Sequence, residues 1–209
     1  MATDLQTDQA TAIALCQLAH ARLLGTSALL TDDEVRRPSR LPDWSIGHVL
    51  THLTRNADGH VRRLEGALRG EELARYAGGT EQRNAEIASG STRTAAEMAT
   101  DLERGCAQLE ETWERCVAAG WPHAELGTRD DWPTTSSPAQ RLREVEMHHL
   151  DLGLGYQPAD WPEDYVTWEL AELLATLPGR VRRTGEAAEL VAWLSGRRAT
   201  APELDLEDW

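Results

Sequence analysis

The chain has 209 residues, 41% hydrophobic and 27% charged, the make-up of a globular protein with one large domain or one domain plus a small appendage. A formal net charge of −14 argues against a nucleic-acid surface, since phosphate contacts need clustered positive charge; an anionic ligand would have to be met by local arginines. All 21 basic residues are arginine, which excludes Schiff-base and lysine-base chemistry.

The elements follow in chain order. "MATDLQTDQA" has neither a basic flank nor a long apolar run, so no signal peptide is expected. Thr7 or Asp8 caps a first helix over "TDQATAIALCQLAHARLL", with Ile13, Cys16, Leu18 and Leu23 near one helical period. "TDDEVRRPSRLPDW" reads as a loop with a short turn. Ser45 caps a second helix, "IGHVLTHLTRNADGHVRRLEGALRG", where Val49, His52, Leu53, Asn56 and His60 share a face and Gly70 marks the stop. "GGTEQRNAEIASGS" reads as a short helix between glycines. A third long helix follows, with Met98, Leu102, Leu109 and Trp113 on its buried stripe. Residues 121–138 form a long loop with room for a short hairpin, against which its prolines and charges argue. Ser137 then Pro138 starts a fourth long helix, "AQRLREVEMHHLDLGLG". Four such helices suggest an antiparallel bundle over residues 1–156. Residues 157–209 read as a shortened region of one linker, "QPADWPEDYV", and two helices. No run approaches the about 18 apolar residues of a membrane span.

The chemistry concentrates in two places. Glu144 and His148 lie four apart on the last bundle helix, and His48 and His52 lie four apart on the second. Residues at that spacing project from one face, as two ligands to one ion must. Facing helices of a bundle supply further ligands across the core, and two nitrogens with one carboxylate suit zinc with a fourth position open. A lone helical histidine is more often a hydrogen-bonded core residue, so spacing by itself leaves both readings standing. HExxH, GxSxG and Walker loops are absent, and Glu146 with His149 makes one ExxH where a di-iron bundle needs two. Cys16, Cys106 and Cys116 form no CxxC pair, which points to a reducing cytoplasm.

"LPDWSIGHVLTHLTRNADG", "EQRNAEIASGS" and "REVEMHHLDLGLGYQPADWPEDYV" resemble the mycothiol-dependent maleylpyruvate isomerase family, over roughly residues 8–178 and again at "AAELVAWLSGR". The resemblance implies a mainly all-α, DinB-like four-helix bundle. It implies a divalent metal, usually zinc, held by His52, Glu144 and His148. His48 then becomes a core or supporting residue, Asp151 a partner for a ligand's free ring nitrogen, and Asn56 a residue that bonds a ligand or the substrate. Arg83 and Asn84 fall where the family resembles a pocket wall. Arg197 matches an arginine retained after "AWLSG" and is the candidate for binding substrate carboxylate and acting in catalysis. Trp44 reads as a staple at the helix entry. The family's larger α/β C-terminal domain is shortened here, with its strand-like middle missing between Arg183 and Thr184, which leaves the closing of the pocket open.

The activity implied is cis–trans isomerisation of maleylpyruvate to fumarylpyruvate, or of a similar unsaturated acid, in the cytoplasm, with mycothiol as co-substrate. A metal-bound mycothiol thiolate adds to the double bond, the bond rotates, and the thiol leaves. A mycothiol S-transferase would use the same thiolate on another electrophile. A non-enzymatic zinc-bearing DinB-like binding or regulatory protein is the alternative of another class; a cysteine-rich HxxxCxxC motif that would accompany it is absent. Neither nucleic acid nor membrane is expected as partner, and the chain is expected as a monomer or homodimer.

Overall fold

A computed structural model describes residues 4–122, 133–180, 184–197 and 200–201. Among these the chain is helix and loop without a strand; an isolated bridge pairs Pro38 with Ser45. The hairpin considered for residues 121–138 would fall on 123–132, outside the described residues. No described helix is long and apolar enough to cross a membrane.

Local chemistry sets the helix ends. Asp8 caps α1 (Gln9–Ser27), accepting from the Thr11 backbone and hydroxyl. Thr31 and Glu34 form a capping box on the four-residue α2 (Asp32–Val35). Ser45 caps α3 (Ile46–Leu68), and Gly70, at φ +72°, takes the left-handed turn that releases the chain. α4 spans Gly79–Gly90, and α5 (Ala95–Ala118) starts from a Thr94–Glu97 capping box. A 3₁₀ turn, Thr134–Ser136, leads into α6 (Ser137–Asp151). α7 (Glu163–Arg180) begins inside the stretch expected as linker, and α8 spans Thr184–Leu194.

The chain divides into two compact units, Thr3–Tyr165 and the part from Val166 onward. In the first, α1, α3, α5 and α6 form the bundle, with α1 beside α5 and α6, and α3 beside the same two. Their directions follow from side-chain pairs. His20, Arg22 and Thr26 of α1 meet Arg141, Glu146 and His149 of α6, so these helices run parallel. Arg55, Asp58 and Glu65 of α3 meet Asp101, Arg104 and Arg115 of α5, again in parallel. His52, Asn56 and His60 of α3 meet Glu144, Arg141 and Ser137 of α6 in reverse order. The antiparallel arrangement expected throughout is therefore corrected to two parallel pairs laid against each other. The cause is the connection 69–94: carrying α4, it is long enough to return the chain along the length of α3 before α5 begins.

The predicted stripes of α3 and α5 are buried, with Val49, Leu53, Leu102, Leu109 and Trp113 all sealed from solvent. That of α1 is shifted. Leu18 is 58% exposed, because it sits about 200° around the helix from Cys16; Ala12, Cys16, Ala19 and Leu23 make the buried row, and Ile13 lies at its margin. Ser136, not Ser137, is the cap position of α6. The Ser137 hydroxyl accepts from Trp113 Nε1–H at 3.0 Å and lies 2.8 Å from His60 Nδ1, so it ties α6 to α5 and α3. Gly47 lets the first turn of α3 close on its neighbours: a Cβ there would stand 2.9 Å from the Ser91 carbonyl and 3.1 Å from that of Val35.

Candidate metal centre

Because α3 and α6 run antiparallel, the inward face of one turn of α3 meets that of two turns of α6. His52 is buried, and its Nε2 lies 2.9 Å from Glu144 Oε2; His148 Nε2 lies 3.6 Å from the same oxygen. One donor atom from each of the three residues falls within 4.8 Å of the others. The two imidazoles meet edge-on with centroids 4.6 Å apart. Asp151 Oδ2 accepts from His148 Nδ1–H at 2.9 Å, which orients the ring with Nε2 toward Glu144. Burial alone would raise the Glu144 carboxyl, but the hydrogen bond and charge of His52, with His148 and Arg141, outweigh it and hold Glu144 ionised. Burial pushes His52 down, against the pull of Glu144. Two imidazoles and a carboxylate are a donor set that fits a divalent ion and leaves a tetrahedral one its fourth position.

The other sequence candidates fall in different places. His48 belongs to the helix cap: its Nδ1 accepts from the Ser45 N–H at 3.2 Å and meets the Ser45 hydroxyl at 2.8 Å, and its Nε2 faces Ser91 Oγ at 3.2 Å. Trp44 lies against both histidines, 5.6 Å from His52 between centroids and 6.1 Å from His48, so it walls the centre besides covering the helix entry. Arg83 Nη2 donates to His52 Nδ1 at 2.8 Å, and its Nη1 to Asn84 Oδ1 at 3.1 Å. Arg197, exposed beyond α8, belongs to the C-terminal unit; its backbone N–H donates to the Ala192 carbonyl and its guanidinium to that of Ser195. The ExxH pair turns the other way, toward α1: Glu146 accepts from Arg22 and Tyr156, and His149 stacks on Tyr156 at 4.0 Å.

Asn56 was expected to bond a ligand or the substrate, and here its carbonyl is taken by a residue that the sequence reading missed. Arg141 is fully buried, one turn before Glu144. It donates to Asn56 Oδ1 and the Leu53 carbonyl, both at 2.8 Å, and to His20 Nε2 at 3.1 Å. It thereby fixes the register of α6 on α3 beside His52. A signal was present: 141, 144/145 and 148 fall on one helical face.

His20 must then accept at Nε2, and its Nδ1–H donates to Glu110 at 2.7 Å. Burial lowers its pKa more than Glu110 raises it, and burial lowers that of His60 further. The native state refuses protons that the unfolded chain takes up near the ordinary histidine value of about 6.5. The stabilising contribution is thus complete above that pH and lost as pH falls below it, by at most about 1.4 kcal/mol per pH unit for each histidine. Urea midpoints should drop between pH 7.5 and 5.5, and His20→Gln should flatten the dependence; equal slopes in both proteins would contradict this account.

Comparison with known proteins places this geometry. A family model described as the mycothiol maleylpyruvate isomerase N-terminal domain matches residues 16–153. The crystal structure of the mycothiol-dependent maleylpyruvate isomerase is similar at 28% identity and a TM-score of 0.76, with 83% of this chain and 72% of that one covered. An alanine mutant of the isomerase is similar at 27% identity and a TM-score of 0.75, with the same coverage. No curated protein sequence matches significantly. The all-α bundle is the DinB-like fold of these structures. The matched segment takes in most of the bundle and all three residues of the cluster, and the chain belongs to the mycothiol maleylpyruvate isomerase family.

Proposed function

We propose that this chain is a zinc- and mycothiol-dependent cis–trans isomerase that converts maleylpyruvate, or a similar unsaturated acid, to its trans isomer. The observation that carries the reading is the convergence of His52, Glu144 and His148 with Asp151 behind one of them. When bound there, a divalent metal supplies a Lewis acid that deprotonates a thiol whose pKa in water is near 8.5. The chain's own residues do the rest. His52, Glu144 and His148 hold the ion, Asp151 fixes the ring of His148, and Trp44 keeps one side of the centre apolar. Arg83, Asn84 and Arg197 are proposed to bind the substrate's carboxylates, arginine offering a two-pronged match to a carboxylate in a chain without lysine. Sulfur added to the cis double bond leaves a single bond free to rotate, and its loss gives the trans product with no net consumption of thiol. The expected setting is the cytoplasm, with the chain as monomer or homodimer.

The test is one sample carried through metal analysis, a mycothiol titration and turnover of maleylpyruvate. One equivalent of zinc, saturable thiol binding and fumarylpyruvate formed at sub-stoichiometric mycothiol are expected. Thiol consumed mole for mole would instead identify an S-transferase. Absence of both metal and thiol binding would leave a non-enzymatic bundle.

A further inference from the structure

The chain enters α3 through a tight turn. The Trp44 N–H donates to the Leu41 carbonyl at 3.3 Å, Pro42 holds the second position, and Asp43, in the third, stands at φ +61°. Proline's fixed negative φ followed by a positive one is the pattern of a type II turn, whose third position favours glycine or asparagine. An aspartate held there is strained, and such strain persists only where the surroundings enforce it. Ser39 does so. Its N–H and its hydroxyl both donate to the Trp44 carbonyl at 2.8 Å, and its Oγ accepts from the Leu41 N–H at 3.2 Å.

The two sides of this turn reach toward different imidazoles. On one side the Trp44 indole stands edge-on to His52, with ring centroids 5.6 Å apart. On the other, the Arg40 N–H donates to the Asp151 carbonyl at 2.8 Å. Asp151 is the last residue of α6, so its carbonyl has no partner within the helix. Its carboxylate accepts from His148 Nδ1–H at 2.9 Å. His52 and His148 belong to different helices, and their mutual orientation depends on what ties the start of α3 to the end of α6. Residues 40–44 make that tie.

We infer that Asp43 is a positioning residue of the metal centre: its left-handed backbone, not its carboxylate, sets Trp44 against His52 and the Arg40 N–H against the end of α6, so that one strained turn orients both imidazoles. The inference rests on the reading of His52, Glu144 and His148 as metal ligands.

The experiment compares wild type with Asp43→Gly, Asp43→Asn, Asp43→Val and Ser39→Ala, all as full chains. Zinc affinity is measured by chelator competition on the metal-free protein, and the visible bands of the cobalt-loaded form report coordination geometry. Amide exchange at Arg40 in the metal-free protein reports the bond to Asp151. Glycine and asparagine accept a positive φ, so both variants should keep wild-type zinc affinity, cobalt bands and Arg40 protection. Valine is a steric outlier at that φ. Asp43→Val should bind zinc about ten-fold more weakly, as when a group that orients a ligand is lost, with shifted bands and an unprotected Arg40 amide. Ser39→Ala, which leaves Asp43 in place, should move all three readouts the same way by less, and it decides the matter if Asp43→Val does not fold. Thr94→Ala, which removes the cap of α5, should lower the urea midpoint and leave all three unchanged. Wild-type zinc affinity in Asp43→Val, or in Ser39→Ala where Asp43→Val does not fold, would overturn the inference. An equal loss in Asp43→Gly and Asp43→Asn would assign the effect to the carboxylate, and an equal loss in Thr94→Ala would assign it to general stability; either overturns it. A wild-type chain that binds neither metal would remove the metal reading and the positioning role together, a result distinct from zinc bound alike by every variant.

Discussion

Alanine at His52, Glu144 or His148 is expected to empty the metal centre and abolish turnover, while alanine at His48 leaves the metal in place. Partners that merely orient a ligand are worth about 10–100-fold in metal affinity, so loss of a ligand falls beyond that range. His48 bonds Ser45 and Ser91, so His48→Ala should instead cost about 1 kcal/mol of stability through the lost cap. Metal content after dialysis, with urea midpoints on the same samples, separates the two effects. Full zinc occupancy in His52→Ala would refute the ligand set; metal loss in His48→Ala with retention in His52→Ala would exchange the two histidines.

Arg141→Met is expected to lower stability by about 3–5 kcal/mol, the range for removing one partner from a buried charged network. The substitution leaves the Leu53 carbonyl, Asn56 Oδ1 and His20 Nε2 buried without their donor. Arg69, half exposed and paired with Glu71, is the control; Arg69→Ala should cost well under 1 kcal/mol. Equal urea midpoints for the two variants would show that Arg141 does not hold the bundle. The loss should also appear as weaker metal binding at temperatures where the variant is still folded, because the register that faces His52 toward Glu144 depends on the same guanidinium.

What was legible in the sequence was whatever is set locally. Ser45 and Gly70 bound α3 as their chemistry dictates, and the four-residue spacing of Glu144 and His148 puts them on one face wherever the helix packs. What was not legible depends on a second element. Ser136 and Ser137 are equivalent as cap residues until Trp113 and His60 arrive from other helices to claim one hydroxyl. His48 and His52 are interchangeable by spacing, and only what stands opposite, Ser91 for one and Glu144 for the other, parts them. The direction of α5 is decided by how the connection 69–94 travels, which no periodicity records. Arg141 escaped notice because arginine is ordinarily a solvated residue, and its burial makes sense only with Asn56 and His20 around it.

His52 and Glu144 stand 92 positions apart, and α6 is the last bundle helix to be synthesised while lying against both α1 and α3. During translation the nascent chain therefore holds α1, α3 and α5 without a complete core, and the cluster does not exist until α6 docks. Acquisition of an ion would mark the end of folding, not its start. An ion that binds the closed bundle and not the open chain stabilises it by about 4 kcal/mol at a thousand-fold excess over its dissociation constant. Cellular metal supply would then set how long a finished molecule survives proteolysis, as well as whether it works.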